Sequence, residues 1–180
     1  MHTRRFLLMM SLLFSLFATL TTFARQTTDT IYFDESWSIC ERPVADYYRV
    51  CALNKIEQIY YKGTVTDYYI NSRVEMTGQY DSKGSKKGVF TFYNRTGAKV
   101  KEGSYEGDKM AGLWSFYDDN GNLRAKFNCR SSTDFTPLLI INNRGDTVIK
   151  NGNGQFSFHS STDLPGVFPL NKTYFVSGQV

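Results

Sequence analysis

The chain has 180 residues, of which 16% are aromatic, and a formal net charge of +4. That length fits one domain. Its Lys and Arg residues form no clustered basic face, which argues against nucleic acid as a partner.

Arg4 and Arg5 precede an apolar, uncharged run from Phe6 to Phe23 that is broken only by Ser and Thr. Thr22-Phe23-Ala24 then places small residues where a signal peptidase reads, so residues 1–24 match a secretory signal peptide. The run is also about long enough to stay as a membrane anchor. The preferred reading is cleavage near Ala24 and a periplasmic or secreted product. That segment holds two Arg and no Lys, Asp or Glu, so with His neutral cleavage lowers the formal charge from +4 to +2.

Residues 25–64 are expected to form amino-terminal strands or a cap. Their first part, 25–36, is polar and reads as a loose start. Trp37, Tyr47-Tyr48 and Tyr60-Tyr61 then suggest two or three strands. Cys40 and Cys51 lie close enough in sequence to close a short loop in an oxidising compartment. The competing reading is that Cys40, Cys51 and Cys129 are small buried side chains.

From residue 65 the chain follows a 24-residue beat, seen at Tyr69, Tyr93, Tyr117 and Ile141 and again at Gly97, Gly121 and Gly145. A fixed period of this size signals repeated supersecondary units. The segments 89–93 and 113–117 are rich in aromatic and β-branched residues and read as strands. Asn94–Gly97 and Asp118–Gly121 follow them as turns. Polar return strands follow, with Ser104-Tyr105 and Lys126-Phe127 near their ends. Residues 65–69 are a degenerate first copy, and 138–145 a last one rebuilt with aliphatics. Asn151–Gly154 is a further turn, 155–158 a strand, and 160–180 a cap or loose tail. The fold class is therefore all-β: an elongated antiparallel meander of β-hairpins over 65–159.

Side chains alternate along a strand. Phe90, Phe92, Trp114 and Phe116 should share one face, with Phe90 near Trp114 and Phe92 near Phe116 along the sheet. Tyr69, Tyr93 and Tyr117 should line the other. Phe90, Phe92, Tyr93, Trp114, Phe116 and Tyr117 are the candidate binding residues, and the Phe/Trp row is also a candidate core.

The pattern Gly112-Leu113-Trp114-Ser115-Phe116-Tyr117-Asp118-Asp119-Asn120-Gly121, with its weaker copy at Gly88–Gly97, resembles the MORN-type repeat. It is most similar to the YwqK antitoxin-like variant found in the periplasmic region of some Bacteroidetes TonB-family proteins. The resemblance implies a β-hairpin scaffold for protein interaction or envelope association. MORN repeats elsewhere are linked to membrane lipids.

The residues give little support to catalysis. His159 is the one histidine outside residues 1–24, and its neighbours read as a strand end. No spaced Cys/His/acid cluster suggests a metal, and Asp118–Gly121 reads as a turn in preference to a calcium loop. The expectation is a non-enzymatic protein without a cofactor that binds another envelope protein. The alternative is a glycan- or lipid-binding module using the exposed aromatic face.

Overall fold

A computed structural model describes the backbone of residues 28–54, 60–130 and 134–154. The signal segment, the strand expected at 155–158, His159 and the 160–180 tail lie outside the described residues. Eleven strands form one antiparallel sheet in strict sequence order. They are β1 Asp29–Phe33, β2 Tyr47–Asn54, β3 Tyr60–Tyr69, β4 Val74–Tyr80, β5 Lys87–Tyr93 and β6 Lys99–Glu106. There follow β7 Lys109–Tyr117, β8 Leu123–Cys129, β9 Phe135–Ile141, β10 Thr147–Lys150 and β11 Asn153–Gly154. Among the described residues the one helical element is a 3-10 turn, Arg42–Val44.

The expected meander of hairpins is therefore present. The loose start is not. Ile31-Tyr32-Phe33 pairs with Tyr47-Tyr48-Arg49 as an edge strand, because the two segments offer each other aromatic and β-branched partners.

The hairpin turns explain the glycine beat. Asn94, Asp118 and Asn142 each accept, through Oδ1, hydrogen bonds from the backbone N–H groups two and four residues on. Gly97, Gly121 and Gly145 close these turns at φ of 92°, 83° and 89°, a backbone region that glycine enters without steric cost. In the first unit Ser72 stands in that place at φ 66°.

The beat is not uniform. Register pairs Asp67 with Met76, Phe92 with Lys101 and Phe116 with Ala125. Asp67, Phe92, Phe116 and Ile140 are thus equivalent, at spacings of 25, 24 and 24 residues. A strict 24-residue count misplaces the first copy by one residue, and a one-residue slip exchanges the faces of a strand. Val65 is accordingly equivalent to Phe90, and Tyr68 in place of Tyr69 shares the column of Tyr93 and Tyr117. The extra residue lies in the connection between β4 and β5, which a loop accommodates.

The core occupies one face. One directly paired row runs across the whole sheet: Ile31, Arg49, Asp67, Met76, Phe92, Lys101, Phe116, Ala125, Ile140, Ile149 and Gly154. A second row holds Val65, Gly78, Phe90, Gly103, Trp114 and Phe127, with Val65, Phe90 and Trp114 fully buried. The register gives a direct test. Val65 has no exposed surface, whereas Val89 is 63% exposed. Val65→Ala should cost about 2 kcal/mol through lost burial and a residual cavity, and Val89→Ala no more than about 0.5 kcal/mol. Urea denaturation of the two variants checks this, and equal costs would contradict the register.

Candidate functional site

The candidate aromatic residues separate into structural and accessible groups. Phe90, Trp114 and Phe116 are buried. They are not direct neighbours across the sheet, because each repeat contains two strands and the return strand lies between them. Tyr105 fills that gap, with its ring centroid 5.0 Å from those of both Phe90 and Trp114, edge-on to each. Tyr80 against Phe90 and Phe127 against Phe116 continue the same edge-to-face series. The expected Phe90–Trp114 and Phe92–Phe116 ladders are thus replaced by a ladder that interleaves return-strand residues. Lys101 occupies the gap between Phe92 and Phe116.

The glycines of the return strands make this packing possible. A Cβ on Gly78 would lie 2.2 Å from the Phe90 ring, and one on Gly103 would lie 2.2 Å from the Trp114 ring. The rings lie flat on bare backbone. The Trp114 indole N–H also donates to the Ser104 carbonyl at 3.1 Å, which satisfies its one buried polar group.

The opposite face carries Tyr93 and Tyr117, both half-buried, with Val89 and Leu113 more exposed. The Tyr117 hydroxyl donates to Glu102 at 2.7 Å. Lys99 pairs with the same carboxylate at 2.8 Å and lies 5.4 Å from the Tyr117 ring centroid. Tyr69, on the core side, donates its hydroxyl to the Tyr93 carbonyl.

The core face has one polar interruption, which the sequence reading missed. Arg49 and Asp67 form a bidentate pair at 2.6 and 2.7 Å with both residues buried. The guanidinium lies over Tyr61 at 4.4 Å from the ring centroid, with Phe33 and Tyr80 at 5.6 and 5.7 Å. Burial alone would lower the Arg49 pKa, but the Asp67 hydrogen bonds and charge override it and hold the cation firmly. Beside this pair opens a cavity of about 330 Å³. Glu75, Lys86 and Lys101 supply further charge to it, and Trp37, Met76, Tyr80 and Phe92 supply apolar walls. Glu75 occupies the bulge between the Asp67–Met76 and Tyr68–Val74 pairs, and such a bulge re-aims a side chain. The Lys101 ammonium sits 4.4 Å from the Phe92 ring centroid, and that of Lys86 sits 4.8 Å from Tyr105. Among the described residues, neither the Glu75 carboxylate nor the Lys101 ammonium has an ion pair within 4 Å.

A 25-residue spacing for the first repeat would have exposed this site. It places Asp67 in a column otherwise filled by Phe92, Phe116 and Ile140, and Lys101 in one filled by Met76, Ala125 and Ile149.

Cys40, Cys51 and Cys129 are free thiols, so the Cys40–Cys51 bridge is not formed. Cys40 lies outside β1, where its N–H bonds the Tyr32 carbonyl. Cys51 lies inside β1, opposite Asp29. Two strand spacings and a three-residue offset put them well over about 7 Å apart, beyond the reach of a disulfide. Burial pushes the Cys129 thiol up to about 11, which disfavours the reactive thiolate.

Comparisons with family models, with curated proteins and with solved structures found no match for this chain.

Glu75 gives the site a pH dependence. Burial, with the Asp67 charge adding to it, raises its pKa from 4.5 to about 7. The folded state then holds the proton more tightly than the unfolded chain, so this contribution to stability is present at low pH and is lost as pH rises from about 4.5 through 7. Glu75→Gln should remove that loss, leaving the variant more stable relative to wild type at pH 8 than at pH 4.5. Urea midpoints of both proteins at the two pH values check it, and parallel pH profiles would refute it.

Proposed function

We propose that this chain is an exported, non-enzymatic binding scaffold of the MORN-type, YwqK-like hairpin-repeat class, and that it holds another protein of the cell envelope. Export rests on the apolar start at 6–23 and its small-residue cleavage pattern. The repeat class rests on the Gly112–Gly121 and Gly88–Gly97 motifs, together with the hairpin meander on which they lie.

The observation that carries the binding reading is an exposed apolar pair on the solvent-facing side. Val89 and Leu113 are 63% and 52% exposed. They stand at equivalent places on β5 and β7, about 10 Å apart across the intervening strand. Tyr93 and Tyr117 lie further along the same strands, and Thr91 and Ser115 lie between. Two apolar side chains so placed suit the side chains of a second protein, with a polar surround.

A glycan- or lipid-binding module would instead use open tyrosine rings. Tyr117 is already engaged, by Glu102 at its hydroxyl and Lys99 at its ring, which supports the protein partner. Paired Val89→Asp and Leu113→Asp substitutions test the proposal. Tagged wild-type protein cross-linked in envelope fractions should recover a defined partner. The double variant should lose that partner while keeping its thermal midpoint within a few degrees. Recovery of the same partner by a folded double variant would overturn it.

A further inference from the structure

The interruption of the core face carries an inference that does not depend on the outer face. In the row that crosses the whole sheet, charge occurs at Arg49, Asp67 and Lys101, and the other members are apolar. Glu75 and Lys86 add to the same spot, and the cavity opens there. A sequence that keeps local rules elsewhere and breaks them around one cavity marks a functional site. Burial of unpaired charge is costly, so a cluster kept for packing alone would more simply be the Met, Ala or Ile found in the equivalent columns.

We propose that this cavity binds a small organic carboxylate, with the carboxylate held by Lys101 and Lys86 and the apolar body lying against Phe92, Met76 and Trp37. The charge balance points to an anion. Arg49 and Asp67 satisfy each other bidentately, which leaves Lys86 and Lys101 facing Glu75. The group so held is a carboxylate in preference to a phosphate. The Arg49 fork, which suits carboxylate and phosphate alike, is occupied by Asp67, so the choice rests on charge. Two ammonium groups and one carboxyl that can carry a proton match a single negative charge. The volume, about 330 Å³, is at the lower end for ligand sites and suits a small molecule with one ring. Trp37, 40% exposed and stacked on Tyr47 at 4.6 Å, forms the rim.

Glu75 regulates this site. The charged groups facing it are Asp67 from β3, Lys101 from β6, Arg49 from β2 and Lys86 from the connection just before β5. When ionised, Glu75 competes with the ligand for Lys101. When protonated, it leaves the lysine free and offers an O–H donor. Binding is therefore tighter below the Glu75 pKa of about 7, and the complex takes up a proton.

The test is titration of the full chain with benzoate, D-glucuronate and inorganic phosphate, followed by calorimetry and by heteronuclear NMR of the Lys101 and Phe92 signals. Benzoate or glucuronate should saturate these shifts, and which of the two binds more tightly separates a planar acid from an acidic sugar. Lys101→Met should weaken binding about tenfold or more, as expected for loss of a charge-assisted hydrogen bond. Lys86→Met should do likewise, and serves alone if the first variant does not fold. Affinity should rise as pH falls from about 8 to about 6, and Glu75→Gln should abolish that rise. Absence of saturable binding by either carboxylate overturns the proposal. So does phosphate binding as tightly as the carboxylates, or unchanged affinity in the folded lysine variants.

Discussion

The structure depends on one contact: an aromatic ring lying flat on the bare backbone of a glycine in the neighbouring strand. Phe90 rests on Gly78, and Trp114 on Gly103. Without the glycine the ring would have to stand away from the sheet and expose a face to water. With it, the edges of Tyr80 and Tyr105 close over the rings at 5.6 and 5.0 Å. Edge-to-face pairs of this kind contribute roughly 0.5–1.5 kcal/mol each beyond the area they bury. Glycine in a strand weakens it through chain entropy. Here that cost is offset by the ring that takes its place, and it explains why the return strands look polar and weak when read alone.

The same packing accounts for the way the sheet ends its regular pattern. In the third unit Phe127 stands where Gly103 stood, opposite Trp114. The flat ring-on-glycine arrangement gives way to an edge-on pair with Phe116. In the last unit Ile140 and Ile149 fill the row with full burial, and Phe135 packs edge-on against Phe127. Toward the amino terminus the row changes in the other direction, to Lys101, Asp67 and Arg49. A buried ion pair contributes little net stability, since desolvation cancels much of the attraction. Its rigid geometry, braced by three aromatic rings, instead forms a fixed floor for the cavity beside it.

Much of the fold was legible because turn chemistry is local. Gly97, Gly121 and Gly145, each three residues after an Asx, fix the hairpins without reference to the rest of the molecule. The alternation in 89–93 and 113–117 then puts Phe90, Trp114 and Phe116 on one face, and their burial makes that face the core. The first repeat was not legible in the same way. Its aromatics include both Tyr68 and Tyr69, and counting back from Tyr93 by 24 residues selects the wrong one. That single choice hid the burial of Val65 and the anomaly of Asp67. Arg49, 18 residues from Asp67 and on a strand outside the repeat, offered no periodic signal. The Cys40–Cys51 spacing looked permissive because sequence distance does not show that β1 passes between them.

The central claim is that ring and glycine are complementary, and a double-mutant cycle on Gly103→Ala and Trp114→Leu measures that directly by equilibrium denaturation. If the indole lies on bare backbone, Gly103→Ala is costly beside Trp114 and much less so beside the shorter Leu. The account predicts a coupling of about 1 kcal/mol or more, within the range for residues in contact. Additive effects of the two substitutions would contradict it.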